Sequence, residues 1–371
     1  MIDPVQLLRE LIAVDSTSAR GNGPVLDVLE RHARALGLST RRLEWTDAAG
    51  VRKANLVAHS GSEQGGLALV GHSDCVPFDA SWEGALKAEE REGKLYGRGA
   101  ADTKCFLAAS LAAAARALAR SKGGPLQLIF TADEEVGCLG ARKLLDEGVV
   151  KPRRAIVGEP TRMIPVLGHK GYCLAEIRVH GVEGHSAYPE TGASATLAAG
   201  RVLRELERIG GELQAGQDAQ FSPPFTTLNV GLIAGGKAKN VIAGLCTLTL
   251  EWRPLPSQDV RRVLLLVEEA CARLATGGIR IDVEAQRLDA GIAVPRDVPI
   301  VQFVEEASGN SAQTIPFGTE LPYLAALGAE ACVFGPGDIR VAHRTGEFVP
   351  LAELHKAVEI LAGAIDRFAV P

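Results

Sequence analysis

The sequence predicts an α/β fold in which helices cover both faces of a sheet, with a smaller α+β domain inserted into it. Three short apolar runs, at 67–70, 126–130 and 155–157, have the Val-, Ile- and Leu-rich composition of buried strands. The segments 103–120 and 141–147 between them have the period and the residue preferences of helices. Strands that alternate with helices in this way are typical of an α/β sheet.

The middle of the chain has a different pattern. Four of its segments alternate apolar and polar residues, which is typical of a sheet with one solvated face, and two helical segments separate them. In chain order these strands and helices are 174–180, 193–209, 226–233, 246–253, 258–275 and 280–284. The order β-α-β-β-α-β predicts a small open sandwich. The segment 210–224 contains Gly and Pro and is a candidate long loop.

The α/β pattern returns towards the C-terminus. We expect helices over 298–307 and 351–368, a further helix after Thr319, and a strand over 331–334. The chain therefore leaves its first domain and comes back to it. The predicted bounds are 1–173 together with 290–371 for the larger domain and 174–289 for the inserted domain.

The bulk composition narrows the range of partners. A chain of 371 residues is long enough for two domains. Its formal net charge of −5 and its pI near 6.0 argue against a nucleic-acid partner, because no excess of basic residues exists. The N-terminus does not resemble a signal peptide, no apolar run is long enough to predict a membrane span, and the seven Cys form no disulfide pattern. We therefore predict a cytoplasmic protein with reduced, mostly buried thiols and no membrane partner.

Polar residues follow the first of the buried strands. His72 and Asp74 come directly after the strand at 67–70, two residues apart on one side of an extended chain. A His that binds a metal needs its second ring nitrogen held, and a nearby carboxylate often holds it. The alternative is a structural His beside an unrelated Asp, and this pair alone does not decide between them.

Acidic residues lie at two further element ends. Asp102 is at the start of a predicted helix, where it is either a metal ligand or a helix cap. Asp133, Glu134 and Glu135 follow the next buried strand, and three neighbouring carboxylates repel one another unless a cation lies among them. One Glu can bind the metal while the other acts as a general base. The alternative is an exposed acidic turn, but a buried strand delivers this run to a sheet edge, where ligands typically bind.

Two more strand ends complete the set. Glu159 follows the strand at 155–157, and His343 follows the strand at 331–334. With His72, Asp102 and Glu135, they supply two imidazoles and three carboxylates. This donor set matches a dinuclear zinc-type site with a bridging carboxylate.

Together these motifs resemble the aminoacylase, glutamate carboxypeptidase and succinyl-diaminopimelate desuccinylase superfamily of two-zinc peptidases, and within it the acetylornithine deacetylase family. The similarity runs almost from end to end of the chain. The matching motifs are 71–78, 93–97, 131–135, 158–161, 169–171, 184–186, 253–256, 318–320 and 334–337.

The resemblance implies a mixed-sheet catalytic domain with a metal pair and an inserted lid domain through which the protein forms a homodimer. It implies that His72 and Glu159 hold one divalent ion, that Glu135 and His343 hold the other, and that Asp102 bridges them. Zinc is the expected ion, and cobalt is the alternative.

The resemblance also implies roles around the metals. Asp74 would orient the imidazole of the first metal site, and Glu134 would activate a water molecule. His185, from the inserted domain of the same or of a partner subunit, would stabilise an oxyanion, and Arg253 and Asn240 would hold the substrate's α-carboxylate. Simpler alternatives stay open for these last three: a surface-turn His, an Arg paired with a neighbouring acid, and a turn Asn.

The implied reaction is hydrolysis of an N-acyl amino acid, in the first place deacetylation of N-acetylornithine in arginine biosynthesis. Glu320 and Asp338 are candidate anchors for a cationic substrate side chain. The alternatives are acetylcitrulline, acetyl-lysine, succinyl-diaminopimelate or a dipeptide as substrate, and last a non-catalytic protein that binds metal or a small molecule. Thr103 and Cys105 replace the family's usual residues, which leaves the exact substrate open; we expect Cys105 in the core.

Overall fold

The computed structural model describes residues 2–62, 64–120 and 124–369. The chain forms two compact units. The first unit comprises Met1–Leu167, Val294–Gln313 and Thr319–Pro371, and the second comprises Gly168–Ala293 and Thr314–Gly318. The predicted inserted domain, 174–289, lies within the second unit, which also includes Thr314–Gly318, a segment that was predicted in the larger domain. The role of the second unit as a lid stays a prediction.

The described residues contain nine α-helices. They are α1 (Pro4–Ile12), α2 (Gly23–Ala35), α3 (Lys104–Arg120), α4 (Leu139–Glu147), α5 (Ala195–Leu213), α6 (Arg262–Leu274), α7 (Pro299–Ser308), α8 (Leu321–Ala326) and α9 (Leu351–Phe368). The closing helix has the predicted bounds. Helix α5 extends beyond the predicted end at 209, because Leu213 continues the buried stripe of Leu206 and Ile209 past two glycines.

The strands of the described chain are β1 (Ser39–Thr46), β2 (Arg52–Ser60), β3 (Leu67–His72), β4 (Glu89–Arg91), β5 (Lys94–Tyr96), β6 (Leu126–Thr131), β7 (Arg154–Val157), β8 (Val166–His169), β9 (Tyr172–His180), β10 (Gly184–His185), β11 (Thr227–Gly235), β12 (Val241–Ile242), β13 (Leu245–Arg253), β14 (Arg280–Asp289), β15 (Ile292–Ala293), β16 (Gln313–Ile315), β17 (Glu330–Val333) and β18 (Phe348–Pro350). The hairpin of β1 and β2 was not among the predicted strands. The charged residues of β1 interrupt the apolar pattern by which a strand is predicted. The strand forms because it pairs antiparallel with β2 along its whole length.

The central sheet of the first unit is mixed, which confirms the predicted fold class. Its strands run in the order β1-β2-β6-β3-β7-β17-β8. The four central strands, β6, β3, β7 and β17, are parallel to one another, whereas β2 and β8 join them antiparallel. The carboxyl ends of the four parallel strands therefore meet at the same edge of the sheet.

Helix α3 is the centre of packing in the first unit. It is rich in Ala, is buried along most of its length, and packs against α1 and α9. Such small side chains let neighbouring helices approach closely while the helix stays buried on nearly every side. Cys105, in its first turn, is fully buried as expected, and all seven cysteines are buried and form no disulfide.

The second unit contains an antiparallel sheet with the strand order β11-β13-β9-β14. The alternation predicted for β13 is confirmed, since Cys246, Leu248, Leu250 and Trp252 are buried. These residues share one apolar core with the buried faces of α5 and α6. Among the described residues, no helix combines the length and the apolar character that crossing a bilayer requires.

Gly158 provides a test of how tightly the first unit is packed at the end of β7. A Cβ atom added there would lie 2.2 Å from ring atoms of Phe106, which is itself buried. We expect Gly158→Ala to lower the free energy of unfolding by about 1–3 kcal/mol, the usual cost of overpacking. The control is Gly23→Ala, where no atom lies within 4 Å of the added Cβ. Equal urea midpoints for both variants would contradict this packing.

Candidate active site

The predicted metal ligands lie where the parallel strands end. His72 is the last residue of β3, and Glu134 and Glu135 follow β6 by a few residues. Glu159 follows β7, and the segment after β17 leads to His343. Because these strands are parallel, side chains that are far apart in sequence converge at one edge of the sheet.

Asp102 lies between two imidazoles. Its Oδ1 is 3.0 Å from Nε2 of His72, and its Oδ2 is 3.0 Å from Nε2 of His343. Asp102, in the segment before α3, thus directs one carboxylate oxygen at each of the two imidazoles. This geometry is what a carboxylate needs to bridge two ions.

Glu135 joins this group. Ligand atoms of His72, Asp102 and Glu135 all lie within 4.8 Å of one another, and Nε2 of His343 is 3.1 Å from the Glu135 carboxylate. Two ligand atoms bound about 2.1 Å from one tetrahedral ion lie about 3.4 Å apart. The imidazole and carboxylate donors of this group are also the ligand types that zinc prefers, so the residues fit divalent ions.

Glu159 is not part of this compact group. Its side chain is buried, with 4% exposure, and its charge interacts with those of Glu134, Asp102 and His72. The structure therefore places it beside the cluster, and its role as a ligand stays a prediction.

The electrostatics of the cluster favour a bound cation. Burial raises the pKa values of Glu135 and Glu159, and neighbouring carboxylates raise them further. Hydrogen bonds to Asp102 and Glu135, opposed by burial, raise the pKa of His343 to about 10. Burial also opposes the charge on Asp102, but hydrogen bonds from His343 and His72 outweigh it and lower the pKa of this carboxyl. Buried carboxylates that disfavour each other's charge are relieved by a cation placed among them.

Asp74 is hydrogen-bonded on several sides. Nδ1 of His72 lies 3.1 Å from the backbone oxygen of Asp74 and 3.5 Å from its carboxylate, which leaves Nε2 directed at the cluster. The carboxylate also accepts hydrogen bonds from the Ser18 hydroxyl at 2.7 Å and from the backbone N–H of Glu134 at 3.1 Å. One buried carboxylate therefore contacts both His72 and the segment that carries Glu134.

Glu134 lies next to the cluster. Burial raises the pKa of its carboxyl, and the nearby Glu135 and Glu320 carboxylates add to this rise while His72 opposes it. The thiol of Cys138 lies 3.4 Å from Glu134 Oε1. This carboxyl therefore lies beside the candidate metal site, which is where a general base has to lie.

The buried pair of Lys53 and Asp133 was missed by the sequence analysis. Nζ of Lys53 lies 2.7 Å from Asp133 Oδ1, and both side chains are almost fully buried. Lys53 also donates to the backbone oxygens of Ser18 and Arg20. Asp133 has a left-handed φ of +56°, so this ion pair holds the backbone turn directly before Glu134. No sequence signal marks Lys53, since a lone Lys in a strand is normally exposed.

Glu320 and Asp338, the predicted side-chain anchors, differ in their surroundings. Glu320 precedes α8 with 1% exposure, and neither carboxylate oxygen has a hydrogen bond of good geometry among the described residues. Burial raises the pKa of Glu320 to about 7, while the nearby Thr131 hydroxyl opposes the rise. Asp338 is only half-buried, and its Oδ2 lies 3.7 Å from the Arg162 guanidinium. Of these two predicted anchors, Glu320 is therefore the fully buried one.

The remaining predicted residues belong to the second unit. His185 in β10 is paired with Val241, next to Asn240, whose backbone oxygen accepts from Ser186. Nδ1 of His185 accepts the backbone N–H of Ala187 at 3.1 Å, so a neutral ring carries its proton on Nε2. The structure thus brings His185 and Asn240 together.

Arg253, also in the second unit, matches the simpler alternative from the sequence. Its Nε donates to Glu251 at 2.8 Å, its Nη1 donates to the backbone oxygen of Pro316, and its guanidinium lies over the Tyr172 ring. Its role in substrate binding stays a prediction.

Comparisons with known proteins identify the family of this chain. The model of peptidase family M20/M25/M40 matches residues 68–367. An acetylornithine deacetylase from Myxococcus xanthus is 51% identical over 367 residues, which cover 97% of this chain and 96% of that protein.

Solved structures share the fold. A tripeptidase from Staphylococcus aureus subsp. aureus Mu50 has a TM-score of 0.81 at 23% identity and covers 100% of this chain and 99% of its own. A dinuclear metal binding peptidase of the M20 family from Bacillus subtilis has a TM-score of 0.71 at 15% identity, with 98% and 97% covered. Since the family model matches most of the sequence and a relative shares half of its residues, this chain belongs to the metallopeptidase family M20/M25/M40.

Proposed function

We propose that this protein is a two-metal amidohydrolase that removes the acetyl group from N-acetylornithine, as a step of arginine biosynthesis in the cytoplasm. The observation that carries the proposal is the convergence of His72, Asp102, Glu135 and His343 at one sheet edge, in a chain half identical to an acetylornithine deacetylase. In this proposal Glu159 completes the site, with His72 and Glu159 on one ion, Glu135 and His343 on the other, and Asp102 shared.

Two divalent ions, zinc in the first place, would lower the pKa of a water molecule and polarise the acyl carbonyl. Glu134 then accepts a proton from the attacking water and delivers it to the amide nitrogen. The water oxygen forms a bond to the acyl carbon, and the C–N bond breaks. The second proton of the water also passes to the leaving nitrogen, which gives acetate and an ammonium group. The place of the Glu134 carboxyl beside the cluster supports this role as the proton carrier.

Residues of the second unit are proposed to bind the substrate. His185 would donate from Nε2 to the developing oxyanion, a role supported by the acceptor role of its Nδ1. Arg253 has a planar fork of donors that suits an α-carboxylate, and Asn240 lies beside His185 in the chain fold.

Glu320 is proposed to bind the cationic side chain of the substrate. Its support is the buried carboxylate without a well-formed hydrogen bond, close enough to Glu134 and Glu159 for their charges to interact. An ammonium group would satisfy these oxygens, and a neutral side chain would leave them unpaired.

A homodimer through the second unit is part of the proposal. Strand β11 lies at the edge of its sheet, and its residues Leu232 and Ile233 are 70% and 54% exposed. Leu197 of α5 is exposed by 71% in the same unit. An open, apolar edge strand can pair with the same strand of a second copy, which buries both.

Removal of the proposed proton carrier tests the chemistry. We expect Glu134→Gln to lower kcat for acetylornithine by roughly 10²–10⁴-fold, because the amide cannot accept the proton. Metal content, measured by mass spectrometry on the same sample, should equal that of the wild type. Full turnover by this variant would remove Glu134 from the mechanism.

A substrate panel with a matched variant tests the specificity. We expect zinc- or cobalt-loaded enzyme to release acetate faster from acetylornithine than from acetylcitrulline, and to act poorly on acetyl-lysine, succinyl-diaminopimelate and dipeptides. In Glu320→Gln, KM for acetylornithine should rise by about 10–100-fold, since a charge-assisted hydrogen bond contributes about 1.5–3 kcal/mol. KM for the uncharged acetylcitrulline should change far less. An equal rise for both substrates would contradict Glu320 as the anchor.

Light scattering tests the dimer. We expect the wild-type chain to have the mass of a dimer and Leu232→Lys to shift it towards the monomer, because a buried charge opposes edge pairing. Leu265→Lys is the matched control, since Leu265 is 52% exposed on α6, away from the edge strand. A monomeric wild type, or dissociation of the control variant alone, would contradict this interface.

A further inference from the structure

Glu347 is a buried acid that neither the motifs nor the proposed chemistry accounts for. It follows His343 by four residues and has 0% exposure. Its Oε2 lies 2.6 Å from Nη1 of Arg98, whose side chain is also almost fully buried. A fully buried acid is rarely found in a protein without a partner. Glu347 has both a cationic partner, Arg98, and further hydrogen-bond donors.

The second carboxylate oxygen of Glu347 binds the backbone next to the bridging position. Oε1 accepts the N–H of Ala101 at 2.9 Å and the N–H of Asp102 at 3.0 Å. The backbone oxygen of Glu347 accepts the N–H of Gly97 at 3.0 Å. A single residue therefore binds both ends of the segment 97–102, which delivers Asp102 to the cluster.

The same residue also fixes the segment that carries His343. Directly after Glu347, β18 pairs with β5, and Phe348 is opposite Tyr96. His343 itself is exposed and has a left-handed φ of +61°, a backbone conformation that the surrounding structure must hold in place. The hydrogen bonds of Glu347 join the His343 segment to the Asp102 segment at a point close to both.

We propose that Glu347 is a positioning residue that sets the distance between Asp102 and His343, and so the affinity of the site for divalent ions. This inference rests on the proposed metal site. A metal centre needs its ligands held within about 0.5 Å, and residues that orient ligands typically change metal affinity by 10–100-fold when they are replaced.

The test uses the full chain loaded with zinc and titrated with a chromophoric chelator. We expect Glu347→Gln to weaken zinc binding by about 10–100-fold, because the amide loses the charge that pairs with Arg98 and accepts on one atom only. Glu347→Asp keeps the charge and should retain more of the zinc affinity than the Gln variant. If the Gln variant does not fold, the Asp variant serves as the test by itself, and we expect it to bind zinc more weakly than the wild type does.

Glu330→Gln is the matched control. Glu330 pairs with Arg154 at 3.0 Å, and both lie at the amino ends of β17 and β7, away from the ligands. This variant should keep the zinc affinity of the wild type. Unchanged zinc binding in the Glu347 variants, or an equal loss in Glu330→Gln, would overturn the inference.

Acetate release is measured separately from zinc affinity in these experiments. A wild-type protein that binds zinc but releases no acetate from any substrate would contradict the proposed function and leave the positioning role intact.

Discussion

The repulsion among buried carboxylates at the edge of the sheet is the constraint on which the rest of the site depends. The parallel strands and the segment before α3 bring Asp102, Glu135 and Glu159 close to one another and largely out of water. In that setting a negative charge is costly, and the two imidazoles of His72 and His343 offset only part of it. Divalent ions bound among these carboxylates would offset their repulsion. The fold therefore brings the negative charges together in the arrangement that favours cation binding.

Buried polar contacts around the cluster restrain the segments that carry its ligands. Asp74 contacts His72 and the backbone of Glu134, and Lys53 pairs with Asp133 beside it. Glu347, although more than 200 residues away in the sequence, accepts hydrogen bonds from the backbone of the Asp102 segment. Removing one member of a buried charged network leaves its partner unpaired, so such networks hold one backbone arrangement firmly. A metal site of this kind needs that rigidity, because loops alone rarely fix ligand distances.

The residues proposed to take part in the reaction come from both units. All of the candidate metal ligands and Glu134 belong to the first unit, whereas His185, Asn240 and Arg253 belong to the second. The first unit has the buried acids and the parallel sheet. The second has an antiparallel sheet whose polar face and edge strand remain exposed.

The sequence by itself determined the α/β alternation, the approximate bounds of the predicted strands and helices, and the residues that follow the central strands, because periodicity and strand-end motifs are local properties. It pointed to His72, Asp102, Glu135 and His343 as candidate ligands, and their roles as metal ligands stay predictions. Only the tertiary structure decided which of these meet, since strand order and parallel pairing join residues more than 200 positions apart. Lys53 and Glu347 were invisible in the sequence for the same reason: a charged residue reveals its buried partner only when the chain is folded.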